Sequence, residues 1–335
     1  MTQIARSAVL VGFEDLCRQC GVNPHQLLLR CGLDPLLLRR EDLYLPYARF
    51  AELLNLASAQ SGCVTFGLRL SEYHDYLVLG PFGLLLSQAA SMADVLRLAQ
   101  QYVHLHAQGI SLSAHPCSQG LQVDYQLNLA TAQPLRQLLE LGIGVVQRSM
   151  SSLFQQQWQP QRVLFEHACV GERDEYARLF NCPVLFEQSC SGFVMPAQAL
   201  ALKPIEQRQV LSDYLLARFG AQRPALSLAQ QIALILQSIL PTGEATLTVV
   251  ARLLDRHPRC VQQALQAQGL SFRQLLAQVR FAEAQQQLQL SAQSITDLAL
   301  NLGYADETAF SRAFRRWSGQ SPQQWRDRAR VASTS

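Results

Sequence analysis

Apolar residues recur along the chain with two different periods. Between residues 47 and 59, Phe50, Leu53, Leu54 and Ala57 are three and four apart, which predicts an amphipathic helix. Residues 91–105 read the same way, with Ser91 as cap and Val95, Leu96, Ala99, Tyr102 and Val103 on the apolar face. Residues 109–113 and 121–129 alternate apolar and polar positions instead, so they predict two strands joined by a hairpin turn over 115–120. A helix over 133–154, a strand near 162–166, a short helix near 172–180 and strands around 184–187 and 192–194 complete this part. The first 60 residues hold two similar helix stops eleven residues apart, Cys20-Gly21-Val22-Asn23-Pro24 and Cys31-Gly32-Leu33-Asp34-Pro35. In each, Gly ends a helix, Asn or Asp caps the next, and Pro takes its first position. Together these elements predict an α+β domain over residues 1–223, leaving through residues 219–224.

Beyond residue 224 only helical periodicity remains, which predicts an all-α domain over 224–335. Leu247, Val250, Ala251 and Leu254 form one short stripe, broken at Asp255-Arg256-His257-Pro258. The next helix turns Val261, Ala264 and Leu265 inward and Arg259, Gln262, Gln263 and Gln266 outward. Two short helices with a tight turn, the second polar on its outside, make a helix-turn-helix over about 247–266. The design recurs over about 295–317. Ser294 caps a stripe of Ile295, Leu298, Ala299 and Leu302, and Gly303-Tyr304-Ala305 forms the turn. A helix from Asp306 then buries Phe310, Ala313, Phe314 and Trp317 and shows Thr308, Ser311, Arg312 and Arg315. One helix over about 271–290, opened by a Ser271-x-x-Gln274 capping box, links the two units. Its length of about 30 Å approaches the ~34 Å repeat of the major groove, long enough to place two reading helices in successive grooves.

Charge sharpens this division. The chain of 335 residues carries a net +3, but residues 1–240 hold 17 basic against 18 acidic residues while 241–335 hold 11 against 7. Within 312–330 there are six Arg and one Asp, a basic tail suited to a polyanion. With 49% hydrophobic and 16% charged residues, broad disorder is excluded. No apolar run reaches the ~18 residues of a membrane span, and the N-terminus lacks a signal-peptide pattern, so a soluble, cytoplasmic protein with no membrane partner is expected. Nine cysteines, odd in number and widely spread, do not form a secreted disulfide framework. Cys17 and Cys20 lack the second pair a zinc site needs unless Cys31 or His25 is recruited across a turn, and His104 and His106 diverge unless their segment is a strand, so no metal or other cofactor is expected.

The residues of the second unit carry a resemblance. Ala299-x-x-x-Gly303-Tyr304-x-Asp306-x-x-x-Phe310-Ser311-Arg312-x-Phe314-Arg315-Arg316-x-x-Gly319-x-Ser321-Pro322-x-x-Trp325-Arg326 resembles the C-terminal signature of the AraC/XylS family of bacterial transcription regulators. The match runs over about 85 residues in order, the linking helix included. It implies an all-α domain whose two helix-turn-helix units bind one asymmetric site in double-stranded promoter DNA, often activating transcription with RNA polymerase. The first domain is similar, over Phe66–Leu70, Gly80–Leu85, 93–98, Phe180–Phe186 and Phe193–Pro196, to the arabinose-binding-type sensor domain of such regulators. That likeness implies a small-molecule effector and a homodimer, and the domain's name is no evidence for arabinose as the ligand. The first unit departs from the family, with Asp255 where Gly is common and a reading helix poorer in basic residues.

The expected DNA contacts are therefore Arg259, Gln262, Gln263, Gln266, Glu307, Thr308, Ser311, Arg312, Arg315 and Arg316, the last to phosphate. Glu307 either accepts from a cytosine amino group or favours the positive end of the helix dipole. Phe310, Phe314 and Trp317 have core spacing, not that of a base-stacking platform. Catalysis is not expected: Gly142-Ile-Gly144 lacks the third Gly and preceding strand of a dinucleotide loop, and neither Gly-x-Ser-x-Gly nor His-Glu-x-x-His occurs. For the effector, the sequence names no individual contact. Aromatic residues such as Phe82, Tyr102, Tyr125, Phe165 and Phe186 predict a mainly apolar pocket, and 16 Arg against one Lys in the first domain favour a small carboxylic acid or amphipathic metabolite over a sugar.

Overall fold

A computed structural model describes residues 3–204, 227–254, 256–290 and 293–333. The chain divides into two compact units, residues 1–220 and 221–335. The expected exit at 219–224 and the turn residue Asp255 lie outside the described residues.

In the first unit, β1 (Ile4–Arg6) pairs antiparallel with β2 (Tyr44–Pro46). Both have only three residues, too few to show an alternation in the sequence. The two helix stops act as read, with one difference. Asn23 accepts a hydrogen bond from the Gln26 amide at 3.1 Å and, with Pro24, opens α2 (Pro24–Arg30) after α1 (Phe13–Gln19). Asp34 caps only a 3-10 turn, Pro35–Leu38. Then come α3 (Tyr47–Ser61), α4 (Phe66–Leu70), α5 (Pro81–Ser87) and α6 (Met92–Tyr102), the last capped by Ser91.

β3 (Ile110–Cys117), β4 (Gly120–Leu127), β5 (Arg162–Leu164), β6 (Val184–Leu185) and β7 (Gly192–Met195) form one sheet in the order β3-β4-β7-β5-β6. The hairpin is tighter than the sequence predicted. Pairing runs from Ile110↔Leu127 to Cys117↔Gly120, so only Ser118 and Gln119 turn, and His115, Pro116 and Cys117 belong to the strand. The Pro misled the sequence reading. On an edge strand its missing N–H can face away from the ladder and break no pair. α7 (Arg136–Phe154) packs against both β4 and α4, and α8 (Arg173–Phe180) follows β5. The spacing Gly142-Ile-Gly144 belongs to this packing. A Cβ at 142 would lie 2.3 Å from the Tyr125 hydroxyl, and one at 144 would lie 2.2 Å from Ser71 Oγ.

The second unit is helical among the described residues. It comprises α9 (Leu228–Ile239), α10 (Leu247–Leu253), α11 (Pro258–Gln266), α12 (Phe272–Leu290), α13 (Ile295–Asn301), α14 (Glu307–Ser318) and α15 (Pro322–Ser333). Each start carries its cap: Ser227 with Gln230 for α9, Thr246 for α10, His257 for α11, Ser294 for α13 and Asp306 for α14. Ser271 and Gln274 make the reciprocal bonds of a capping box at α12. Val250, Val261, Leu265, Leu298, Phe310 and Phe314 are buried. Phe281 of α12 meets Phe314 and Trp317 at ring separations of 5.6 and 5.5 Å, so these rings pack against one another, with Phe310 and Phe314 buried and Ala313 and Trp317, expected to be buried too, left half-buried.

Candidate DNA-binding surface and ligand cavity

The second unit presents two polar helix faces. On α11, Val261 and Leu265 face the core while Arg259, Gln262, Gln263 and Gln266 are all exposed. Pro258 and the His257 ring, whose Nδ1 accepts from the Arg259 amide at 3.2 Å, fix where this helix begins. On α14, Phe310 and Phe314 are buried while Glu307, Thr308, Arg312, Arg315 and Arg316 are exposed and Ser311 is half-buried. The ten residues expected to contact DNA thus fall on these two helices and nowhere else. Glu307 has a partner inside the protein, because its carboxylate accepts a hydrogen bond from the Thr296 hydroxyl of α13. Of the other tail arginines, Arg328 is exposed, whereas Arg326 is buried and so is no surface contact.

The linking helix anchors the turn before α14. Arg280 of α12 donates to the Gly303 carbonyl at 3.1 Å, and its guanidinium lies 4.7 Å from the Tyr304 ring centre. Gly303 itself has φ 71°, and a Cβ there would sit 2.3 Å from the Leu240 carbonyl oxygen. Sequence reading identified Gly303 and Tyr304 as a turn but not Arg280 as its clamp. Spacing on α12 carries no sign of which neighbour a half-buried Arg will meet.

The first unit encloses a cavity of about 80 Å³ between α6, α7 and the sheet. Its wall is aliphatic and aromatic, with Phe82, Leu86, Val95, Val123, Val145 and Trp158 among the lining residues. Of the aromatics singled out in the sequence, Phe82 and Tyr125 line it. Phe165 and Phe186 stack with Tyr176 in a separate cluster at ring separations of 5.0–6.0 Å. Neither Arg nor Lys lines the cavity among the described residues, so the guanidinium fork expected for a carboxylate is not in its wall.

Its polar groups are uncharged. Tyr47 and Tyr125 share a hydrogen bond, and burial pushes both phenols above their ordinary range. Burial pushes His74 down to about 4. His106 falls to about 3, through burial first and then the neighbouring charges of Arg6 and His74. Both rings are therefore neutral at pH 7. Nothing in the sequence marked His74 or Ser149, and His106 was weighed only with His104 as a metal pair, since a polar residue inside a domain announces itself only once its neighbours are known.

Two helix-turn-helix units on one helical frame, preceded by a separate α+β unit that encloses a cavity, define a DNA-binding regulator with a sensor domain. Comparison with known proteins specifies which kind. Residues 21–204 match the arabinose-binding N-terminal domain of AraC transcription regulators, and residues 250–328 match a helix-turn-helix domain. The chain belongs to the AraC family of transcription regulators. It is 28% identical over 330 residues to the transcriptional regulator VirS of Mycobacterium tuberculosis, covering 96% of each chain. It is 24% identical over 336 residues to the ornithine utilization regulator of Pseudomonas aeruginosa, covering 93% of each. Over 72 residues, 22% of this chain and 26% of the other, it is 40% identical to the transcriptional activator RhaR of Klebsiella pneumoniae. The family and these relatives are transcription regulators, not enzymes. No described helix is long and apolar enough to cross a membrane.

Proposed function

We propose that this regulator inserts α11 and α14 into successive major grooves of one promoter site and activates transcription in response to a small molecule held in the first unit. The observation that carries this is the sidedness of the two helices: Arg259 on α11 and Arg312, Arg315 and Arg316 on α14 are exposed on faces turned away from the buried Val261, Leu265, Phe310 and Phe314. At 1.5 Å per residue the 19-residue linking helix α12 is about 28 Å long, close to the groove repeat. In this reading Arg312, Arg315 and Thr308 meet base edges, and Arg316 meets phosphate. Glu307, held by Thr296, helps set the start of α14 and complements its dipole. Residues 1–223 sense the effector and form the homodimer, and 224–335 bind DNA and meet RNA polymerase. The local match to an activator supports the direction of regulation.

The test is a gel shift of the full chain on the DNA upstream of its own gene, with a reporter for transcription. Retarded bands on that DNA at salt concentrations that release random DNA are expected, together with reporter output that rises with protein. Equal retention of both DNAs would remove the sequence reading.

A further inference from the structure

Within the first unit, three buried polar atoms on residues that line one cavity have no hydrogen-bond partner. His74 donates its Nε2 proton to the Val11 carbonyl at 3.0 Å, which leaves Nδ1 as a bare acceptor. That Nδ1 is buried and has no protein partner. His106 Nδ1 and Ser149 Oγ are likewise buried and unpartnered. All three side chains are more than nine-tenths buried, and all three line the same cavity, on three different segments of the chain. An unsatisfied buried polar group destabilises a fold, and buried polar groups are nearly always paired. Three at one cavity mark a place where a molecule other than the protein completes the hydrogen bonds.

The wall sets the chemistry of that molecule. No Asp, Glu, Lys or Arg lines the cavity among the described residues, so a charged ligand would lose its hydration with no counter-ion in the wall. A sugar has hydroxyls on every side and would press most of them against Leu86, Val95, Val123 and Val145. We infer that the cavity of the first unit binds a small, uncharged, mainly apolar molecule with a single hydroxyl, which donates to His74 Nδ1 and accepts from His106 or Ser149. This rests on the effector-responsive reading above and names the ligand class. A six-carbon ring with one hydroxyl is the simplest member. Both histidines stay neutral at pH 7, so His74 keeps its lone pair for the ligand.

Isothermal titration calorimetry of the full chain with phenol, benzene, benzoate and L-arabinose tests this. Phenol should bind saturably and at least tenfold more tightly than benzene, while benzoate and arabinose give no heat. Two variants check the polar contacts. His106→Leu and Ser149→Ala each remove an unsatisfied group, so each should raise the ligand-free melting temperature, by roughly 2–4 °C for about one lost penalty. Each should also cut phenol affinity about tenfold and leave benzene unchanged. Ala99→Leu, which fills the cavity from α6, should abolish binding of both rings. Phenol binding no tighter than benzene, or absent, overturns the ligand class. If benzoate or arabinose binds in its place and Ala99→Leu abolishes that binding, the effector reading stands and only the class fails. If both polar variants melt lower than the parent, His106 and Ser149 are structural and the site itself is overturned.

Discussion

A methyl group at residue 303 would meet the Leu240 carbonyl oxygen at 2.3 Å, on a backbone whose φ of 71° already disfavours any side chain. Gly303→Ala should therefore lower the stability of the helical unit by about 2 kcal/mol, read as a shift of its urea midpoint. An unmoved midpoint would mean that the turn before α14 can relax. The buried histidines give a second expectation at this scale. In the folded chain His74 and His106 titrate near 4 and 3, below the ~6.5 of the unfolded chain. The unfolded state thus binds more protons below pH 6.5, so the stability they contribute is complete above that pH and lost as it falls toward 3. Each adds a slope of up to about 1.4 kcal/mol per pH unit in that window. Glu140, raised by burial, acts in the opposite sense, so the difference between parent and His106→Leu isolates one histidine. Urea midpoints between pH 4 and 7 should fall less steeply for the variant, and parallel curves would contradict the assignment.

Among elements, α11 and α14 are built alike but armed differently. The exposed face of α11 offers one Arg and three Gln, whereas α14 offers three Arg. Arg312→Ala should weaken specific binding by ~1–3 kcal/mol if it reaches a guanine edge. Arg316→Ala should weaken all sequences alike and reduce the salt slope by about one unit. Gel shifts of both variants on the gene's upstream DNA and on random DNA, over a series of salt concentrations, separate the two. Equal losses on both DNAs for both variants would remove Arg312 from base readout. The helices of the second unit were legible in the sequence where stripe, cap and turn agree, as with Ser294, Ile295–Leu302 and Gly303, whereas the His257 cap of α11 was not read. The short pairs β1–β2 and β5–β6 were not as clear, because two or three residues hold no period and their partners lie far along the chain. The hairpin was placed correctly but its turn overextended, since Pro116 reads as a turn residue until its strand is known to be an edge.

At the scale of the molecule, the two parts of the site differ in how they can be read. The residues proposed to contact DNA come from two continuous helices, so periodicity alone gathers most of those on each helix on its exposed side. The cavity draws Tyr47, His74, His106, Tyr125, Ser149 and Phe193 from six separate segments. Only folding brings them together, which is why the sequence could suggest an apolar pocket but could not name its wall, where no arginine lies among the described residues. The self-contained core of the second unit carries one more expectation: residues 226–335 alone fold and bind the upstream DNA. A cooperative thermal melt and a gel shift of that fragment check it, and an unfolded fragment at neutral pH would show that the core is incomplete without the first unit.

Hydroxyl-radical footprinting of the full chain on the DNA upstream of its gene puts the two-helix reading to its most direct test. Two protected patches on one face of the duplex, about one helical turn or ~10 base pairs apart, are expected, with the patch under α14 fading in Arg312→Ala. A single patch, or two that Arg312→Ala weakens equally, would contradict it.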